Sequence, residues 1–221
     1  MQEFAKGLVK GLGGAALIAA LAYSPPARRW YLTYGATPQE VDRAMPGDHL
    51  LTGPVLKSTR AITIDSPPSA VWPWLMQMGS GRGGAYTYDW IENLFGLEMH
   101  SADAILPEFQ HLAVGDVLPL GPSGPGMRVE ICDTASTLAF RSEDGRWVWI
   151  FGLYPKWGGT RLVSRNRIAV PDASIARRVV NRAVMEPGSL IMERKMLLGI
   201  RDRTESFVPV SEPQPASPGI R

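Results

Sequence analysis

Residues 137–170 read TLAFRSEDGRWVWIFGLYPKWGGTRLVSRNRIAV. Three apolar runs are parted by two short turn signals, Glu143-Asp144-Gly145 and Trp157-Gly158-Gly159. Turns this short leave no length for the crossover that parallel strands need, so the runs must pair as an antiparallel meander. Two earlier runs, VGDVLPL and MRVEIC, extend the same pattern across GPSGPG. The chain's 23 glycines and 19 prolines supply turns throughout. No other stretch narrows the fold as much.

Strand periodicity assigns the faces. In the last run Arg161, Val163, Arg165 and Arg167 share one side, which is mostly charged and is expected to face water. Leu162, Ser164, Asn166 and Ile168 share the other side, toward the core. A one-residue slip would bury three arginines without partners, at a cost of several kcal/mol for each ion, so the register is well determined. Met127, Val129 and Ile131 oppose Arg128 and Glu130, and Leu138 and Phe140 oppose Arg141. The run from Trp147 is apolar on both sides, with Trp147, Trp149, Phe151 and Leu153 against Val148, Ile150 and Tyr154. One face must meet the core and the other is expected to be covered.

Upstream, residues 61–64 form a short strand, and Ser66 is placed to cap a helix starting at Pro67. Val71, Trp74, Leu75 and Met78 recur on one helical face; Pro73 should kink it and Gly79 should end it. The helix runs into GSGRGG, residues 79–84, whose glycines satisfy the Gly-x-Gly-x-x-Gly spacing of dinucleotide sites. That fingerprint needs a strand entering the loop and a helix leaving it, so that helix N–H groups meet a pyrophosphate. Here a helix enters. Dinucleotide binding is rejected, and the glycines are assigned to a sharp turn between two helices. The second helix carries Trp90, Ile91, Leu94 and Phe95 and stops at Gly96.

After the meander, Ile175, Ala176, Val179, Val180, Ala183 and Val184 occupy one arc of a helix opposite Arg177, Arg178, Asn181 and Arg182. Pro187-Gly188 should break or kink it. The continuation SLIMERKMLLGIRDR has no clean apolar stripe, and its buried face stays unassigned. It is basic but lacks interleaved aromatics, which favours a solvated face over a phosphate-binding one.

With 221 residues, 45% of them apolar and 20% charged, the chain has enough apolar side chains for one sizeable core. A net charge of +2 gives no bulk basicity for nucleic acid. The single cysteine, Cys132, excludes an internal disulfide and a cysteine-rich metal site and reads as an inert thiol. Four segments are expected: 1–30, a membrane segment or signal; 31–57, a linker with a short helix capped by Thr37, Pro38 and Glu40; 58–205, the domain; and 206–221, a Pro/Ser-rich disordered tail. The uncharged run 11–27 lies between Lys10 and Arg28-Arg29 and is at the short end of the roughly 17–25 residues a spanning helix needs. A membrane anchor is the leading expectation, with a cleaved signal or a cytoplasmic helix as alternatives.

The order strand, helix, loop, helix, meander, long helix resembles the START-like superfamily, also called SRPBCC or polyketide cyclase/dehydrase-like. The residues that carry the resemblance are RAITIDSPPSAVWPWLMQMG, YDWIENLFGL, LAVGDVLPLGP and RSEDGRWVWIFGLYP with GGTRLVSRNR, about two thirds of the chain. The resemblance implies an α+β helix-grip fold: a curved antiparallel sheet wrapping a long C-terminal helix, with two short helices after the first strand. It also implies an elongated apolar cavity that takes a hydrophobic small molecule, lipid-like, aromatic or polyketide-like.

The candidate ligand-binding residues are Trp74, Met78, Arg82, Tyr86, Tyr88, Trp90, Trp149, Phe151, Ser164 and Asn166. Ser164 and Asn166 supply sparse polar groups on an apolar face, as ligand sites do, while Tyr86, Tyr88 and Trp90 are candidates for the mouth. Arg82 would reach an anion or stand in solvent. His100, Asp103 and His111 lack metal-ligand spacing, no nucleophile–base arrangement is legible, and no cofactor, metal or catalytic residue is assigned. A cyclase/dehydrase-like enzyme using the same cavity and a protein-interaction module are the alternatives to a ligand binder.

Overall fold

The computed structural model describes residues 23–121, 126–170 and 174–206. Its centre is a six-stranded sheet in the order β1-β6-β5-β4-β3-β2, with every neighbouring pair antiparallel. The strands are β1 (Leu56–Ile64), β2 (Val117–Pro119), β3 (Gly126–Asp133), β4 (Thr137–Ser142), β5 (Trp147–Lys156) and β6 (Gly159–Ile168). Strands β3 to β6 are the meander, and β1 closes on β6. Two short helices follow β1: α3 (Pro68–Met76) and α4 (Asp89–Leu94). The long C-terminal helix lies across the inner face. It begins as α5 (Ile175–Val180), passes through one π-helical stretch (Asn181–Met185) and continues as α6 (Glu186–Ser206). This is the α+β helix-grip architecture, a sheet curved around a helix.

The core lies between the sheet's inner face, α3 and α6. Trp74, Leu75, Phe151, Leu162, Met196 and Ile200 are each at most 1% exposed and belong to one packed cluster. Each such burial is worth about 1.5–3 kcal/mol. Leu138, Phe140, Trp147, Trp149, Phe151, Leu153 and Leu162 all turn to this cluster, as alternation requires. One expectation fails within β3. The register steps from Val129↔Phe140 to Ile131↔Ala139, so Glu130 is an extra, bulged residue. Beyond the bulge the faces swap: Ile131 joins the outer cluster and Cys132 turns toward the core.

The outer face of the sheet is not solvated, which corrects the expectation for the arginines of β6. Residues 33–55, including α2 (Pro38–Asp42), lie against it. Met45, Ala36, Leu50 and Leu51 pack on Ala61, Ala139, Val148, Ile150 and Val163. The parity of β6 is as expected, but Arg165 is only 1% exposed. Its guanidinium donates to the Asp48 carboxylate at 2.7 Å, to Thr59 Oγ1 at 3.0 Å and to the carbonyls of Arg43, Glu40 and Val41. Arg167 donates to Asp48 Oδ1 at 3.0 Å and to the Leu51 carbonyl, and Arg161 pairs with Glu40. A charged strand face therefore found partners in the preceding segment rather than in water. Within α2, Thr37 and Glu40 form the expected capping box, with Pro38 at the first helical position. Ser66 does not cap α3, which starts at Pro68 with Pro67 at its N-cap.

The expectation of a membrane-anchored chain is corrected. Among the described residues no helix is long and apolar enough to cross a membrane. The described end of the 11–27 run is instead the start of α1 (Pro25–Leu32), a helix packed on the domain. Tyr31 and Leu32 are buried against Leu190, and Arg28 pairs with Glu186 at 2.8 Å. The remainder of that run, like the tail after residue 206, lies outside the described residues.

The last helix runs without a break past Pro187. Proline lacks an N–H, which would leave the Ala183 carbonyl four residues earlier without its helical donor. The π-helical stretch falls here, and the Tyr23 hydroxyl donates to that carbonyl at 2.8 Å. The apolar arc of residues 175–184 does not meet the sheet: Ile175, Val179 and Val184 are 81%, 60% and 60% exposed. Burial begins at Glu186 and follows Leu190, Glu193, Leu197, Ile200 and Thr204.

Candidate functional site

The inner face of the sheet is divided by chemistry. Strands β1 and β6 contribute polar side chains to it, Ser58 and Arg60 beside Asn166 and Ser164. Strands β3 to β5 contribute Met127, Val129, Leu138, Phe140, Trp147, Trp149 and Phe151. Strand pairing sets the border, with Trp149 opposite Asn166 and Phe151 opposite Ser164. Helix α6 lies above and lowers Glu193 onto the polar half.

Three aromatic rings form a ladder along β5. Trp147 and Trp149 stack at 5.7 Å with an interplanar angle of 20°, and Trp149 meets Phe151 at 4.8 Å. Spacing two residues apart on one strand places the rings on the same face, one above the next. Phe151 is fully buried, whereas both indoles are only half-buried. Their N–H groups are tied across the border: Trp149 Nε1 donates to Ser164 Oγ at 2.9 Å and Trp147 Nε1 to Asn166 Oδ1 at 2.8 Å. These bonds fix the ring planes and leave part of the indole surface open.

The polar half is organised around a buried ion pair. Arg60, with no exposed surface, donates through Nη1 to Glu193 Oε2, through Nη2 to Ser189 Oγ at 2.9 Å, and through Nε to the Tyr31 carbonyl at 3.0 Å. Asn166 Nδ2 adds a second bond to Glu193 Oε2, at 3.2 Å. Burial pushes the Glu193 carboxyl above its ordinary range, opposed by the charge of Arg60 and the nearby Ser164 hydroxyl. Oε1 of Glu193 is buried as well, with the Ser164 hydroxyl close to the carboxylate.

Of the ten residues expected from sequence, Trp149, Phe151, Ser164 and Asn166 come together here. Trp74, Met78 and Tyr86 are buried in the adjoining core. Tyr86 is held by its hydroxyl on the Trp74 carbonyl at 2.9 Å and packs edge-on against Trp74, and burial raises the pKa of its phenol. The remaining three stand apart from the ladder. Arg82 is half-buried, donates to the carbonyls of Met76 and Phe109 and lies over the Phe109 ring, so it holds the glycine turn closed. Tyr88 is half-buried with Lys195 over its ring, and Trp90 is 70% exposed on α4. Tyr86, Tyr88 and Trp90 thus do not form one mouth. In the turn itself Gly79 and Gly84 pair as a single bridge. Gly84 has φ +71°, and a Cβ there would meet the His100 backbone at 2.7 Å, so geometry alone accounts for a glycine.

Four residues of this arrangement were not expected: Arg60, Trp147, Ser189 and Glu193. Two of them carried a signal. Trp147 shares parity with Trp149 and Phe151, and Glu193 falls at helical spacing between Leu190 and Leu197. Arg60 and Ser189 carried none.

Together the fold and this face define a helix-grip protein with an aromatic ladder beside a buried polar cluster. No family model matches the chain, and no curated protein matches it. Solved structures are similar to it at low identity. One is the KanY protein (ms6282), at 12% identity and TM-score 0.48, covering 70% of this chain and 100% of that one. The Polyketide_cyc-like protein Cgl2372 from Corynebacterium glutamicum, at 15% identity and TM-score 0.41, covers 66% and 88%. The Aha1 dimer from Colwellia psychrerythraea, at 12% identity and TM-score 0.41, covers 69% and 98%. The fold assignment rests on this chain's own strand order and last helix.

Proposed function

We propose that the protein binds an apolar small molecule on the inner face of the sheet, against the Trp147–Trp149–Phe151 ladder and beneath the last helix. The observation that carries this is the half-buried pair of stacked indoles on a face whose other large side chains are packed away. Small-molecule sites are mostly apolar with a few fixed polar groups, and this border has that composition. Both N–H groups of the pair are satisfied internally, so the rings offer apolar contact rather than hydrogen bonds. A flat ligand stacked on an indole gains about 0.5–1.5 kcal/mol beyond its buried area.

The test is a titration of the full chain with 1-aminoanthracene, followed by quenching of indole fluorescence. Saturable binding is expected. Trp149→Ala should weaken it at least about tenfold, which corresponds to about 1.4 kcal/mol. Trp157→Ala, at a fully exposed position on the β5–β6 turn, should leave it unchanged. Equal affinity in the wild type and the Trp149 variant, with both folded by thermal unfolding, would remove the ladder from the site.

A further inference from the structure

The last helix begins with an apolar face that the domain leaves open. Ile175, Val179, Val180 and Val184 are each more than half exposed, on one side of α5 and the π-helical stretch, with Arg177, Arg178 and Arg182 opposite. Single apolar side chains on a surface need no explanation, but a contiguous strip marks a contact. A helical stretch this short draws its stability from packing, and without a cover α5 has only its continuity with α6. What reaches the strip is set by where the chain enters. Helix α1 runs beside the last helix in the same direction: Tyr23 donates to the Ala183 carbonyl at 2.8 Å, Arg28 pairs with Glu186 at 2.8 Å, and Leu32 packs with Leu190. Followed backwards from Tyr23, the chain therefore arrives at the C-terminal end of the strip, at Ala183 between Val180 and Val184.

We propose that residues 11–22, GLGGAALIAALA, cover this strip. Gly14, Leu17, Ile18 and Leu21 recur at i, i+3, i+4 and i+7, the spacing of one helical face. Apart from Leu12, the other positions are glycine or alanine, so little bulk holds the run off the valines of α5. At about 1.5 Å per residue, the run wound as a helix reaches about 18 Å, against about 16 Å for residues 175–185. Charge favours this occupant over a second copy of the chain. A copy laid on the strip would bring its own Arg177, Arg178 and Arg182 against these, and like charges set face to face oppose association, whereas residues 11–22 carry no charge. Tethering favours it too. The run is joined to the end of the strip through Tyr23, and a short tether holds a segment at an effective concentration of about a millimolar, above that of most free partners.

Hydrogen exchange of the full chain, followed by mass spectrometry on peptides from residues 175–185, tests this. Exchange there should be at least about tenfold slower in the wild type than in a full-length chain carrying Leu17→Asp and Leu21→Asp, because a helical stretch stripped of its packing opens at little cost. The difference should not change with protein concentration and should need no lipid. Glu3→Gln, outside the run, should exchange as the wild type does. The strip lies outside the core, so its cover opens before the core does, and the double variant should keep the urea midpoint of the wild type. Exchange of residues 175–185 in the wild type as fast as in an unstructured peptide of that sequence would overturn the proposal by itself, whether or not the variant folds. Equal protection in the wild type and the double variant would overturn it as well. Protection that grows with protein concentration would assign the strip to a second copy. Protection that appears only with vesicles of phosphatidylglycerol and phosphatidylcholine in equal parts would assign it to a bilayer. Either result removes residues 11–22 from the strip.

Discussion

Arg165 shows how a residue can be read correctly for parity and wrongly for environment. Period-2 alternation fixed its side of β6, but alternation does not say what covers that side. The cover is residues 33–55, and the clue was in their composition: Glu40 and Asp48 are the acids that meet Arg161, Arg165 and Arg167. Matching an acidic stretch to a basic strand face across more than 110 residues needs the fold first, so this pairing was not legible. Its energetic consequence can be tested at Asp48. The Asp48→Ala change leaves Arg165, at 1% exposure, with carbonyl and hydroxyl acceptors but no counter-charge. Breaking a buried pair from one side costs about 3–5 kcal/mol, and the remaining acceptors place this site near the lower end. Urea unfolding should show a loss of about 3 kcal/mol. Asp202→Ala, which removes an exposed partner of Arg201, should stay within about 0.5 kcal/mol of wild type. Equal effects at the two positions would mean that the outer layer does not hold Arg165 as described.

Elements with regular period were legible, and elements carrying one irregularity were not. The meander, α3 and α4 followed from alternation, turn signals and helical spacing. The bulge at Glu130 escaped because MRVEIC alternates smoothly as written, and an extra residue shows only against its partner strand. The last helix escaped for a different reason. Its buried stripe is Leu190, Glu193, Leu197, Ile200 and Thr204, with Gly199 beside it, so the face is interrupted by an acid, a hydroxyl and a glycine. Each interruption has a partner: Arg60 and Asn166 for Glu193, the Ile200 carbonyl for Thr204, and the Tyr86 backbone for Gly199. At Gly199 the helix comes so near the glycine-loop segment that a Cβ would lie 2.5 Å from the Tyr86 carbonyl oxygen. Tyr86 has φ +58°, so its backbone is already in the left-handed region and has little freedom to retreat. Two effects oppose each other in Gly199→Ala. Alanine favours a helix interior by about 0.8–1 kcal/mol, while overpacking against fixed backbone costs about 1–3 kcal/mol. The clash should win, with a net loss of about 1 kcal/mol or more in urea unfolding. A more stable variant would show that the helix and the loop are not in contact at this point.

At the scale of the molecule the question is where the folded unit starts. The core on the inner face lies within residues 56–206, yet two layers outside it belong to earlier residues. Helix α1 buries Tyr31 and Leu32 against Leu190, pairs Arg28 with Glu186, and gives the Tyr31 carbonyl to Arg60. Residues 33–55 cover the outer cluster and supply Glu40 and Asp48. A chain starting at residue 58 would expose Ala139, Val148, Ile150 and Val163, all now at most 0% exposed, and would leave Arg165 without its acid. It would also shorten β1, because Leu56 and Lys57 pair with Ile168 and Arg167. Several losses of about 1–3 kcal/mol each, together with an orphaned buried arginine, are as large as the roughly 5–15 kcal/mol by which a domain is stable. Removing residues 1–22 touches none of these contacts. We therefore expect a chain starting at Tyr23 to unfold cooperatively with a midpoint close to that of the full chain. One starting at Ser58 should show no cooperative transition by circular dichroism in urea. The informative intermediate starts at Thr33: it keeps the outer layer but loses α1, and should fold with clearly reduced stability. Cooperative, undiminished unfolding of the chain starting at Ser58 would show that residues 23–57 are an appendage and that the domain is the sheet and its helices alone.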